Sequence, residues 1–193
     1  MSDATQMSTA SFIPLKLSGQ PLVLKITAIM LGTVFLAASS WIEVPMVPVP
    51  MTMQTFAVTL VGALYGWRLG AITVLAWLAQ GMMGFPVLAG GAGGLAHFAG
   101  PTAGYLAGFV VAAAMVGFLA ERGWTAGVVR GSLTMLLGNI LILAVGWVWL
   151  AAMIGAESAL IHGVTPFLLG GLLKSLLASL TVLAAGRASL FLR

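Results

Sequence analysis

From Leu22 onward, charged side chains come singly or in one pair: Lys25, Glu43, Arg68, Glu121-Arg122, Arg130, Glu157, Lys174, Arg187 and Arg193. The stretches between most of them are long, apolar and rich in Leu, Ala, Val and Gly. That pattern constrains the fold more than any motif, because a spanning helix needs about 20 predominantly apolar residues. A water-soluble domain is excluded. With 61% hydrophobic and 6% charged residues, its surface would be one continuous apolar patch. The chain therefore reads as an all-α integral membrane protein. The net charge of +4 does not indicate nucleic acid, since the basic residues are spaced like loops between spans. The absence of cysteine removes disulfides, thiolate nucleophiles and zinc–sulfur sites.

Residues 1–20 are polar and mixed, without the layout of a signal peptide, and read as a retained cytoplasmic tail ahead of a single transmembrane domain over 21–193. The spacing predicts spans at Leu22–Ile42, Thr52–Gly66, Leu69–Met83, Thr102–Ala120, Val128–Met153 and from Gly163 to about Gly186. The second and third are short. Between the first two, Pro45, Pro48 and Pro50 favour an extended path. Charge decides the count. Six spans put Lys16, Lys25, Arg68, Arg122, Arg130, Arg187 and Arg193 on the cytoplasmic side with both termini, and leave Glu43, Glu157, His97 and His162 outside. Merging the second and third spans would move Arg122 and Arg130 outside. The proline segment 43–51, the loop 84–99 and a short loop at 155–163 then share the outer face and form a mouth or lid.

The stretch from Gly84 to Phe109 begins as a loop carrying Gly90, Gly91, Gly93 and Gly94. It continues into a helix where Gly100, Gly104, Gly108 and Ala112 recur every fourth residue. A tightly folded glycine loop beside a helix stripped of bulk is suited to walling a small ligand. Lys174 is the one cation that escapes the sorting. It lies eight residues beyond Pro166, or about 12 Å into the sixth span at 1.5 Å per residue. An unpaired ammonium in hydrocarbon costs at least ~2.5–3.5 kcal/mol, so such residues face a bundle interior or cavity. A ligand carboxylate would neutralise it; snorkelling, or pairing with Glu43 or Glu157, is the alternative. Asn139, the other polar group deep in a span, serves equally as a ligand contact or as interhelical glue. Gln54 stands at the mouth of the second span beside Thr52, which reads as a helix cap. Tyr105 lies one turn into the fourth span, beside the glycine loop. Trp41, Trp67 and Trp124 read as belt anchors at the interfaces.

No enzyme is expected. The run Gly170-Gly171-Leu172-Leu173-Lys174-Ser175 lacks the glycine that must precede the lysine of a phosphate loop. There is no G-x-S-x-G elbow, no histidine within a span, and no pair of intramembrane carboxylates for a proton or sodium relay. No metal is expected at His97, which has no ligating neighbour at suitable spacing. The residues describe a binding protein for a small carboxylate.

Four segments together resemble the BioY family, the biotin-binding S components of energy-coupling-factor transporters. They are VPMVPVPMTMQTFAV at 44–58, GALYGWRLGA at 62–71, GFPVLAGGAGGLAHFAGPTAGYLAGF at 84–109 and GVTPFLLGGLLK at 163–174. The resemblance implies six transmembrane helices in a bacterial inner membrane and biotin held near the outer face. It also implies partnership with one transmembrane coupling protein and two ATPases, and no cofactor. It implies that Lys174 meets the valerate carboxylate and that Gln54, Tyr105 and the glycines at 90, 91, 93 and 94 line the bicyclic ring. Ala28 and Gly32 would form the face for the coupling protein, although small-residue faces serve self-association equally. The sequence departs from the family at Gly171, where an Asp is common, which leaves the ureido ring short of one acceptor; Asn139 is the nearby replacement. A vitamin other than biotin, also bearing a carboxylate, is the alternative ligand.

Overall fold

The computed structural model describes Leu15 and residues 17–191, so the expected tail over 1–20 lies almost wholly outside the described residues, as do Asp3, Lys16 and Arg193. The described chain is helical: α1 (Leu22–Trp41), α2 (Gln54–Tyr65), α3 (Trp67–Met82), α4 (Ala103–Glu121), α5 (Val128–Ile154), α6 (Ala156–Gly163) and α7 (Phe167–Phe191). Four of these, α1, α4, α5 and α7, are long and apolar enough to cross a membrane, whereas α2 and α3 are shorter.

The prolines do force extension, and the structure adds a hairpin that the sequence reading lacks. Strand β1 (Glu43–Val44) pairs antiparallel with β2 (Met51–Thr52), setting Glu43 opposite Thr52. Pairing keeps Thr52 out of the second helix. Its hydroxyl instead accepts from the Gln54 N–H at 3.2 Å and donates to Gln54 Oε1 at 2.9 Å, holding the first turn of α2. A second correction falls at 155–163, expected as a loop. Gly155 (φ +87°) turns the chain and the segment after it forms α6.

Helix α4 is central, packed by α2, α3 and α5, while α7 closes against α2 and α5 and α1 lies outside α2 and α3. Small residues permit this density. Gly104 backs onto Trp149 and Gly108 onto Ile142 and Val145, so the four-residue glycine spacing of the fourth span is used against α5. The turn from α2 to α3 takes one residue, Gly66 at φ +80°. A Cβ on Gly117 of α4 would lie 2.5 Å from its carbonyl carbon. Outward faces are as apolar as inward ones, as in Leu22, Val23, Leu31 and Val34 of α1, which suits a lipid solvent rather than water.

Three contacts gather the cationic helix ends. The Tyr65 hydroxyl donates to the Ala28 carbonyl (2.8 Å), the Trp67 N–H to Glu121 Oε1 (3.1 Å) and the Ser179 hydroxyl to the Val128 carbonyl (3.1 Å). Lys25, Arg68, Arg122, Arg130 and Arg187 therefore cluster toward one end of the bundle. Glu43, His97, Glu157 and His162 lie toward the other.

Candidate functional site

At the Glu43 end, α2, α4, α5 and α7 splay around a cavity of about 410 Å³, within the ~300–1,000 Å³ common for small-molecule sites. Pro48, Val49 and Pro50 of the hairpin loop roof it from one side, and Leu88, Ala89, Ala92, Ala96 and His97 from the other. Phe109, Ile142 and Phe167 supply apolar wall. A second hollow of about 630 Å³ lies between α3, α4 and α5, but its lining is apolar apart from Trp149, whose indole N–H is engaged by the Gly100 carbonyl. Only the first combines an apolar wall with convergent polar groups. Lys174, Asn139, Gln54 and Tyr105, from four different helices, all line it.

Lys174 is half-buried on α7 and points inward. Its ammonium donates to the main-chain carbonyl of Thr52, and it forms no ion pair with Glu43, Glu121 or Glu157, the carboxylates among the described residues. The cation thus faces the cavity with one neutral partner and two further N–H donors. Such a site lowers its free energy by taking an anion. The carbonyl that holds Lys174 belongs to a residue fixed by its neighbours. Gln54, buried, accepts from Thr52 and donates Nε2–H to Ser40 Oγ (2.9 Å), which donates on to the Leu36 carbonyl (2.8 Å). Gln54 therefore stands in the lining while both ends of its amide serve the wall.

Asn139 is 3% exposed. Its Nδ2 donates to the Met135 carbonyl (3.1 Å) and to Ser175 Oγ (3.0 Å). The Tyr105 ring lines the cavity 6.4 Å from that of Phe167, but its hydroxyl donates to the Gly163 carbonyl (2.8 Å), so ring and phenol have separate duties. The glycines stand behind the lining rather than in it. Gly90 (φ +62°) backs onto Glu43, Gly91 (φ +75°) onto Trp41, Gly93 onto the Phe85 carbonyl, and Gly94 donates to the Gly81 carbonyl at 2.7 Å. They shape a turn that presents Leu88, Ala89 and Ala92 inward. Ala28 and Gly32 are buried: the Ala28 carbonyl accepts from Tyr65, and Gly32 meets Thr73 and the Tyr65 ring, so both pack within the bundle.

The roof is held by a device absent from the sequence reading. Trp41 of α1 donates its indole N–H to the Pro86 carbonyl (3.0 Å), Trp77 of α3 to that of Val87 (2.9 Å) and Trp149 of α5 to that of Gly100 (3.0 Å). Three indoles thus pin the loop 84–102 at both ends. Trp41, expected as a belt anchor, has this additional partner. Ser175 was also missed. Its one sequence signal is a hydroxyl one turn after Gly171 and beside Lys174 in an apolar helix.

Comparison with known proteins bears on the family and the fold. Residues 6–190 match the model of the BioY family. A probable biotin transporter BioY of Pyrococcus horikoshii is 39% identical over 155 residues, 79% of this chain and 91% of the relative. The biotin transporter BioY of Rhizobium etli is 38% identical over 148 residues, covering 72% and 79%. Among solved structures, the S-component for biotin from an ECF-type ABC transporter superposes with a TM-score of 0.76 at 29% identity. That match covers 84% of this chain and 90% of the other. From its sequence match and its helical bundle, the chain belongs to the BioY family.

Proposed function

We propose that this protein captures biotin from the outer side of a bacterial inner membrane and delivers it for uptake. Its role is binding and transport rather than catalysis. Kinship with biotin transporters supplies the ligand's name. The observation that carries the reading in this chain is Lys174, an ammonium facing an enclosed cavity with no carboxylate partner among the described residues. The valerate carboxylate completes that site, and the fused rings lie against Phe109, Ile142, Phe167 and the Tyr105 ring.

In this reading all six longer helices cross the bilayer, α2 and α3 included, and α6 rests at the outer face. The basic end lies in the cytoplasm with both termini, and the cavity end faces outward. A coupling protein and two ATPases dock from the cytoplasmic side and drive reorientation of the loaded bundle. Ala28 and Gly32 line the packing beneath whichever α1 surface meets that partner.

Equilibrium binding of biotin to the purified protein tests the reading. Loss of a charge-assisted hydrogen bond costs about 1.5–3 kcal/mol, so Lys174→Met should weaken biotin roughly 10- to 150-fold. Biotin methyl ester should bind both proteins alike. Desthiobiotin should compete, whereas thiamine, a cation, should not. Unchanged biotin affinity in Lys174→Met would remove the lysine from the site, and inhibition by thiamine would replace the ligand class.

A further inference from the structure

The second hollow lies beside the ligand cavity, on another face of α4. Its lining spans residues 75–82 of α3, 103–110 of α4 and 145–152 of α5, seven steps of helix in each case, or about 10 Å at 1.5 Å per residue. These stretches are the halves of their helices nearest the cavity end of the bundle. Leu106, buried, is the one residue common to both linings and divides the two spaces. The hollow opens outward between α3 and α5. Leu75, Ala107 and Val148 are exposed there, although α4 is otherwise the most enclosed of the spans. Its floor on α4 is stripped to Ala103, Gly104 and Ala107. Two of its walls belong to the roof. Phe98 is part of the loop 84–102, and Trp149 holds the Gly100 carbonyl near the end of that loop (3.0 Å).

We propose that this hollow is a binding site for one acyl chain of a membrane lipid, and that the chain braces the roof of the ligand cavity from the side. Its mouth opens among outward apolar residues of the spans α4 and α5, so hydrocarbon is the medium that meets it. Inside a bilayer no hydrophobic drive separates one apolar occupant from another, and close packing decides. A chain in the hollow is touched by α3, α4 and α5 together, whereas on an ordinary outward face it is touched from one side. The additional dispersion contacts hold it. The lining asks for nothing polar, because its one polar side-chain group, the Trp149 indole N–H, already serves Gly100. A helix, from a partner or from a second copy, fits less well. About 630 Å³ over about 10 Å of depth is a section of ~60 Å², and a helix 10–12 Å across needs ~80–110 Å². The occupant bears on Phe98 and on the Trp149 ring at once. It therefore limits the retreat of both, and with them the movement of the roof residues between Phe98 and Gly100.

The probe is dioleoylphosphatidylcholine, added to the purified, lipid-depleted full chain in detergent, with bound lipid counted by native mass spectrometry. The unaltered protein should take up one lipid saturably. Ala107→Phe and Ala152→Phe fill the hollow from α4 and from α5, at positions exposed in the fold. Each should weaken that uptake roughly tenfold or more, through the lost chain contacts. Val34→Phe, on the exposed face of α1, should leave it unchanged. Amide hydrogen exchange over 95–102 should slow when lipid is added to the unaltered protein and should not respond to lipid in the two filled variants. Equal lipid uptake in the filled and unaltered proteins, all of them melting as folded proteins, overturns the site. Exchange that ignores lipid in the unaltered protein overturns the bracing. A dimer of the unaltered protein that both variants convert to monomer gives the hollow to a second copy and overturns the acyl-chain reading. None of these readouts uses biotin, so they stand or fall apart from the proposed ligand.

Discussion

Trp77 offers the most demanding test of how the cavity is closed. It is fully buried, packs 6.0 Å from Phe109, and gives its indole N–H to the Val87 carbonyl, which no main-chain donor serves. Leu88, the next residue, is in the roof. Trp77→Phe removes the donor and the outer edge of the ring. An unpaired carbonyl costs about 1–3 kcal/mol, and the void adds about 1 kcal/mol. The roofed arrangement then loses roughly 2–4 kcal/mol. If biotin binds tightly only under a closed roof, affinity should fall by ~30-fold to several hundredfold, since 1.4 kcal/mol is about tenfold. Trp41 and Trp149 make the same bond but are 62% and 41% exposed, so replacing either ring empties less packed space than replacing the fully buried Trp77. Their Phe variants should cost about 0.5–1 kcal/mol, a factor of about five or less. Calorimetric titration gives the affinities, and amide hydrogen exchange across 84–102 reports the loop directly. Unchanged affinity and unchanged exchange in Trp77→Phe, or a larger loss in Trp41→Phe, would refute the argument that buried anchoring governs the roof.

Two other substitutions separate packing from binding. Gly62→Ala would place a methyl 2.5 Å from the Ala113 carbonyl oxygen on α4, where only backbone can yield; overpacking of about 1–3 kcal/mol exceeds the ~1 kcal/mol gained in helix propensity. Its thermal midpoint should drop by several degrees, while Gly127→Ala, with nothing within 4 Å, should leave the midpoint in place. Tyr105→Phe should lower stability by about 1 kcal/mol by orphaning the Gly163 carbonyl, yet keep biotin affinity within about threefold because the ring remains; a large affinity loss at intact stability would place the hydroxyl in the site instead.

The helices were legible because hydrocarbon demands long apolar runs, and their limits were legible to within a few residues. Lys174 was legible for the same reason, as a charge out of place. Local backbone pairing was not: three prolines announce extension, but nothing in VPMVPVPMT says that Glu43 will face Thr52. Glycine was legible as a site of tight folding and misleading about what that folding achieves. Gly90, Gly91, Gly93 and Gly94 make the turn, and their neighbours Leu88, Ala89 and Ala92 reach the cavity. Ala28 and Gly32 announce close approach without saying which helix approaches. The anchoring indoles were invisible because a tryptophan in an apolar span looks the same whether its N–H meets water, lipid headgroups or a carbonyl 10 residues away, as in Trp77 and Val87.

The brevity of α2 has a consequence for the distance a guest must travel. Twelve residues rise about 18 Å against a hydrocarbon layer of about 30 Å, and the cavity lies at the N-terminal end of that helix, where Gln54 lines it. In the proposed orientation, a molecule resting above Gln54 would already have descended into the outer leaflet by diffusion alone. What would remain beneath it is a plug little more than three helical turns thick, and the proposed machinery that empties the site would have only that remainder to overcome.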